Sequence, residues 1–263
     1  MKTKIKRQLE LLAAIKRDDS GLDDLFDYSA VDVETIEKIK TIDGNISSAL
    51  IEFTDFMKID KQDSDSYVVK TILSPSEINE FIPLLKNYKF DFEGASIPAH
   101  FINKLIQSSY NSGNNDFFLN IPDGQHLRPL AFNLEGKEKD PIILSASGEL
   151  SYAFLFLSKN VIATIDGNLG DHFCHLTENV TTIIVGNVKD GAGWDSKNLK
   201  LAIKGNVGNY FGKDSINLSA YVNGEIKSIS SSINKSARTI YGQSAIEHDE
   251  YKRMMQMWEE KFK

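Results

Sequence analysis

Gly148, Gly167, Gly186, Gly205 and Gly224 recur at a constant 19-residue step, and no other feature limits the fold of this chain as tightly. Each repeat of that length must bury its apolar face against the next, which admits few architectures. Counted from each glycine, the third position is Leu150, Leu169, Val188, Val207 and Ile226, always branched and aliphatic. The eleventh is Ser158, Thr177, Ser196, Ser215 and Asn234, always small and polar. The thirteenth is Asn160, Asn179, Asn198 and Asn217, then Ser236. Positions fourteen, sixteen and eighteen read Val161-Ala163-Ile165, Val180-Thr182-Ile184, Leu199-Leu201-Ile203 and Leu218-Ala220-Val222. That is the period-two alternation of a strand with one buried face.

These columns predict a mainly β fold, a parallel β-solenoid of about five coils. Paired strands lie roughly 4.8 Å apart, so five coils would rise roughly 24 Å. The glycine column marks a corner that needs a positive φ or a close backbone approach. The asparagine column predicts an amide ladder inside another corner, each side chain donating to one neighbour and accepting from the next. Both columns are structural in this reading.

The runs Gly167-Asn168-Leu169-Gly170, Gly186-Asn187-Val188 and Gly205-Asn206-Val207-Gly208, with Gly212, resemble the glycine-repeat (GXGXG) β-helix domain that ends the glutamate synthase large subunit. The module is also similar to the glycine-repeat subunit of formylmethanofuran dehydrogenase. The resemblance spans residues 148–242 and implies a right-handed β-helix that packs against other domains and carries no chemistry of its own. The chain departs from the pattern where Gly148 and Gly224 are followed by Glu149 and Glu225 rather than asparagine. Its one cysteine is Cys174, so the N-terminal catalytic cysteine of glutamate synthase has no counterpart, and that activity does not come with the resemblance.

Three regions follow: an N-terminal helical or α+β part (1–128), the solenoid (129–242) and a C-terminal amphipathic helix (243–263). Apolar spacing predicts helices at 3–17, 31–42 and 46–59, and a strand at 67–73. Ser74-Pro75-Ser76-Glu77 is a helix start with a capping box, and that helix runs to about Asn87. Another helix is expected from Pro98 to Tyr110 and a strand from Phe117 to Ile121. Asp60-Lys61-Gln62-Asp63-Ser64-Asp65 lacks the spacing of a calcium loop and is read as a solvated turn. Ile142-Leu144-Ala146 falls into the inward columns one block early, as a half coil that opens the solenoid. In the last block Thr239 and Tyr241 enter the aliphatic columns. The terminal helix, with Met254, Met255, Met257, Trp258 and Phe262, serves as a cap over an end or flank of the stack or as a partner-binding helix.

A net charge of −7 argues against nucleic-acid binding, which calls for a basic face. No apolar run is long enough for a membrane span or a signal-peptide core. With a single cysteine and so no internal disulfide, the protein is expected in the cytoplasm. No catalytic residue, metal site or cofactor motif is identified. The most chemical-looking run is Asp171-His172-Phe173-Cys174-His175, but Cys174 shares its column with Leu155, Gly193 and Gly212 and reads as a space-filler. His175 shares one with Phe156 and Trp194, an aromatic column that faces either outward as a binding strip or inward as core. Phe156, His172, His175 and Trp194 are therefore the candidate binding residues.

The expected function is a non-enzymatic scaffold or interaction module, such as one subunit of a larger complex. A protein partner would meet its solenoid face or its C-terminal helix. The alternative is an enzyme or ligand-binding subunit with a site between the N-terminal region and the solenoid flank, near His126, His172 and His175. Open solenoid ends also allow self-assembly, and the oligomeric state stays open.

Overall fold

The structure is a computed structural model, and it describes residues 44–59, 64, 66–85, 91–92, 95–123, 125, 127–148, 150, 152–229, 239–241 and 249–262. The helices expected at 3–17 and 31–42, His126, and residues 230–238 of the last repeat lie outside the described residues.

The chain enters through α1 (Asn45–Phe56), which matches the helix expected from residue 46. No strand forms over 67–73. The segment is irregular, and Lys70 N and Thr71 N donate to the buried Glu52 carboxylate of α1 at 2.6 and 2.8 Å. With these two backbone donors taken by a side chain, they are lost to a strand ladder. Tyr67 OH also donates to Glu52 at 3.2 Å, and burial together with that negative charge pushes the phenol up to about 12.

α2 (Pro75–Phe81) starts as its residues dictate. Glu77 N donates to Ser74 Oγ and Ser74 N donates to Glu77 Oε2 at 2.7 Å, closing the capping box. The helix stops short of Asn87 because Pro83 has no N–H to continue it; a 3₁₀ turn (Ile82–Leu85) takes over. A short antiparallel pair, β1 (Asp91–Phe92) and β2 (Ala95–Ser96), leads into α3 (Ile97–Asn111). Phe53, Phe56, Phe81 and Phe101 pack ring against ring among these helices, with centroids 5.3 to 6.5 Å apart.

The rest is one seven-stranded parallel sheet in sequence order: β3 (Asp116–Asn120), β4 (Ile142–Ser147), β5 (Lys159–Asp166), β6 (Glu178–Val185), β7 (Lys197–Ile203), β8 (Ile216–Val222) and β9 (Thr239–Tyr241). From β4 to β8 the register follows the 19-residue period: Ile142, Val161, Val180, Leu199 and Leu218 are neighbours in turn. All five are buried, as are the two inward columns beside them. The third-position residues Leu150, Leu169, Val188, Val207 and Ile226 bridge one another on a second wall. This is a parallel β-solenoid.

Three expectations change. The stack opens with β3, not with a half coil at Ile142: Phe117 pairs with Leu144 and Leu119 with Ala146, across a longer first loop that breaks the period. The regular turns number about four rather than five. In the last turn Phe211 bridges Ile229, a residue short of the period, while Ser219 pairs with Thr239, a residue beyond it. That shift sets Ile240, not Thr239 or Tyr241, beside Ala220 of the inward column.

The glycine column works by close approach. A Cβ on Gly167, Gly186, Gly205 or Gly224 would run into the carbonyl oxygen of the glycine one turn below, and on Gly148 into that of Ile121. The asparagine ladder forms: Asn160 Nδ2 donates to Gly136 O at 2.8 Å, then Asn179 to Asn160, Asn198 to Asn179 and Asn217 to Asn198 at 3.1, 2.7 and 2.8 Å. It runs along the surface edge of its corner, half-buried to exposed, rather than inside it. All four asparagines hold φ between 51 and 56°, a left-handed conformation that asparagine tolerates better than other side chains do.

The helices close the base of the stack. α2 lies on β3, where Asn79 Oδ1 accepts from Asn120 N at 2.8 Å, and one continuous apolar core runs from Ile46 to Val222. α4 (Asp249–Phe262) lies along a flank: Met254 is buried with Ile183, Ala202 and Tyr221 on the outer face of the sheet. Among the described residues no helix is long and apolar enough to cross a membrane.

Candidate aromatic interaction surface

Between the second wall and the sheet, each turn passes a tight corner at 152–157, 171–176, 190–195 or 209–214. In the first two of these every second residue is left-handed: Ala153, Leu155 and Leu157 have φ of 58, 62 and 59°, and His172, Cys174 and Leu176 have 60, 52 and 57°. Phe154, Phe173, Ala192 and Phe211 point into the core, as do Leu155 and Cys174. Burial pushes the Cys174 thiol well up, so the thiolate that a nucleophile or metal ligand needs is disfavoured. The small residues of its column are explained by backbone: Gly193 and Gly212 take the same left-handed conformation, at 70 and 64°.

Phe156, His175 and Trp194 face outward and are half-buried. They belong to a longer ladder of rings. His100 of α3 stacks on Phe132 at 5.4 Å, and Phe132 on Phe156 at 5.6 Å. Phe156 meets His175 at 5.1 Å, and His175 stacks on Trp194 at 5.3 Å. The Lys213 ammonium closes the column, 3.9 Å from the Trp194 centroid, a cation held on a ring face. His172 joins from the side, 5.5 Å from His175 and 5.7 Å from Trp194, with Tyr152 against its edge at 5.3 Å. Tyr152, Leu176 and Tyr210 are 46, 40 and 59% exposed and extend the surface around it. The structure thus brings together all four candidate binding residues.

Sequence reading missed Phe132, His100 and Lys213. Lys213 was legible, one further period along the column. Phe132 precedes Phe156 by more than a period because the first coil is longer, and His100 comes from a helix with no repeat to flag it.

The electrostatics are particular. Asp195 Oδ2 stands 3.8 Å from His175 Nε2. Burial and the neighbouring His172 hold His175 below its ordinary value, and Asp195 only partly offsets them. His172 Nδ1 is buried without a hydrogen-bond partner and rests over Gly191, where a Cβ would come within 3.0 Å of it. On one side of the rings, Asp190 N donates to Asp171 Oδ1 at 3.1 Å, and Asn209 N to Asp190 Oδ1 at 2.7 Å. That second bond keeps the Asp190 carboxyl low. Gly208 permits this contact, since a Cβ there would strike Asp190. Among the described residues no three His, Cys, Asp or Glu side chains gather as metal ligands would. Searches against protein-family models, curated proteins and solved structures return no match.

Proposed function

We propose that this protein is a non-enzymatic β-solenoid scaffold that binds a protein partner through its aromatic corner. One observation carries the reading: a continuous ladder of rings from His100 to Trp194 lies at the surface, widened by the exposed Tyr152, Leu176 and Tyr210. Contiguous exposed apolar surface of this kind marks interaction sites, and aromatic side chains supply much of the binding energy in protein interfaces. The C-terminal helix, the other expected docking element, spends Met254 on the sheet face and fits the role of a flank cap. Burial of Cys174 weighs against the alternative of a reactive site at the solenoid flank. We also read the stack as right-handed, in keeping with its resemblance to the glycine-repeat domain of glutamate synthase, where the module packs against other domains and carries no chemistry, and as cytoplasmic from its single cysteine and its lack of a long apolar run.

The test is affinity purification of the tagged full chain from its native lysate beside a corner variant, Tyr152→Ser with Leu176→Asn and Tyr210→Asn. These side chains are largely exposed, and asparagine suits the left-handed backbone of the latter two. A near-stoichiometric partner held by the native chain and lost by the variant is the expected result. A partner retained by the variant, or none at all, would overturn the reading.

A further inference from the structure

We propose that the segment of the partner that meets this corner is basic, and that its arginine or lysine side chains lie on the aromatic surface between two rows of carboxylates. The inference rests on the interaction reading above and specifies its partner. Asp171 and Asp190 occupy the column next to that of His172, and Asp195 and Asp214 the column next to that of the rings. The four corner segments hold these four aspartates and one lysine, and the whole chain carries −7. The lysine shows how a cation sits here: Lys213 places its ammonium 3.9 Å from the Trp194 centroid. A ring face attracts a cation, and a flanking carboxylate adds to that attraction. Arginine fits such a place best: the ladder's own faces are covered by neighbouring rings and by Lys213, and a planar guanidinium can stack on the exposed Tyr152 or Tyr210 ring while donating to a carboxylate. The Asp190 carboxylate stays charged because Asn209 N–H donates to it, and Asp195 is exposed beside His175.

The probe is a short arginine–serine–glycine repeat peptide, with a glutamate-for-arginine counterpart. Binding is read at an ionic strength of about 0.15 M, where exposed charges more than about 8 Å apart are largely screened, from Trp194 fluorescence in the full chain carrying Trp258→Phe. The arginine peptide is expected to bind and the glutamate peptide not to. Asp195→Asn with Asp214→Asn should weaken binding about tenfold or more; both positions have left-handed backbone, φ 51 and 54°, which asparagine accepts. A control that removes equal charge away from the corner, Asp166→Asn with Glu225→Gln, should change affinity less than about twofold, as distant charges are screened. Equal loss in both variants would mean general attraction to an acidic surface and would overturn the proposal. So would absence of arginine-peptide binding, or binding of the glutamate peptide. A native partner that the corner captures through a segment lacking basic residues would overturn it while leaving the scaffold reading standing.

Discussion

Thr182 puts a hydroxyl into an otherwise aliphatic inward column, between Ala163 and Leu201, and that oxygen is buried without a hydrogen-bond partner. Valine has the same shape without the desolvation cost, so Thr182→Val should raise stability by about 1 kcal/mol in urea unfolding; a loss would show that the hydroxyl is satisfied. His175 makes a second single-residue case. Its folded pKa lies below its ordinary 6.5, through burial first and His172 second. The unfolded chain therefore takes up that proton before the folded one. Its contribution is complete above about pH 6.5 and is lost as pH falls from there through the lower folded value. Melting temperature should drop on acidification across that window, and His175→Phe, which keeps a ring between Phe156 and Trp194, should flatten the drop. An unchanged slope would exclude His175 as its source.

The asparagine ladder shows what an element contributes beyond its residues. Asn179 donates to Asn160 and accepts from Asn198, while holding φ at 54°. Asn179→Ala removes both bonds and strains the backbone, so a cost of about 2–3 kcal/mol is expected from calorimetry or denaturant unfolding. Such columns were legible because the turns from Gly148 to Asn223 obey one period. What escaped notice lies where the period fails: the place of β3 in the stack and Phe132 across the long first coil, and Ile240 where the last turn gains a residue. The left-handed corner carries glycine only at Gly191, Gly193 and Gly212. Ala153, Leu155, His172 and Cys174 share that conformation, but their identities do not announce it, because stacked hydrogen bonds such as Cys174 N to Phe154 O at 3.0 Å impose it. The strand expected at 67–73 had the right alternation, yet Glu52 took the donors a ladder needs.

At the scale of the whole molecule, helices cover the base of the stack and one outer flank, and the aromatic corner is left on the surface. The core is continuous from α1 to β8, so the N-terminal helices cap the solenoid rather than form a core of their own. The columns that recur from turn to turn therefore hold one surface in register, and the candidate site was half visible in them: Phe156, His175 and Trp194 by period, their outward direction only by structure. The measurement closest to the central claim is hydrogen–deuterium exchange of the full chain, alone and with the partner isolated by affinity purification. Protection confined to residues 152–157, 171–176, 190–195 and 209–214 is the predicted result. Protection centred on 249–262, with these corners unchanged, would contradict it and assign the partner to the C-terminal helix.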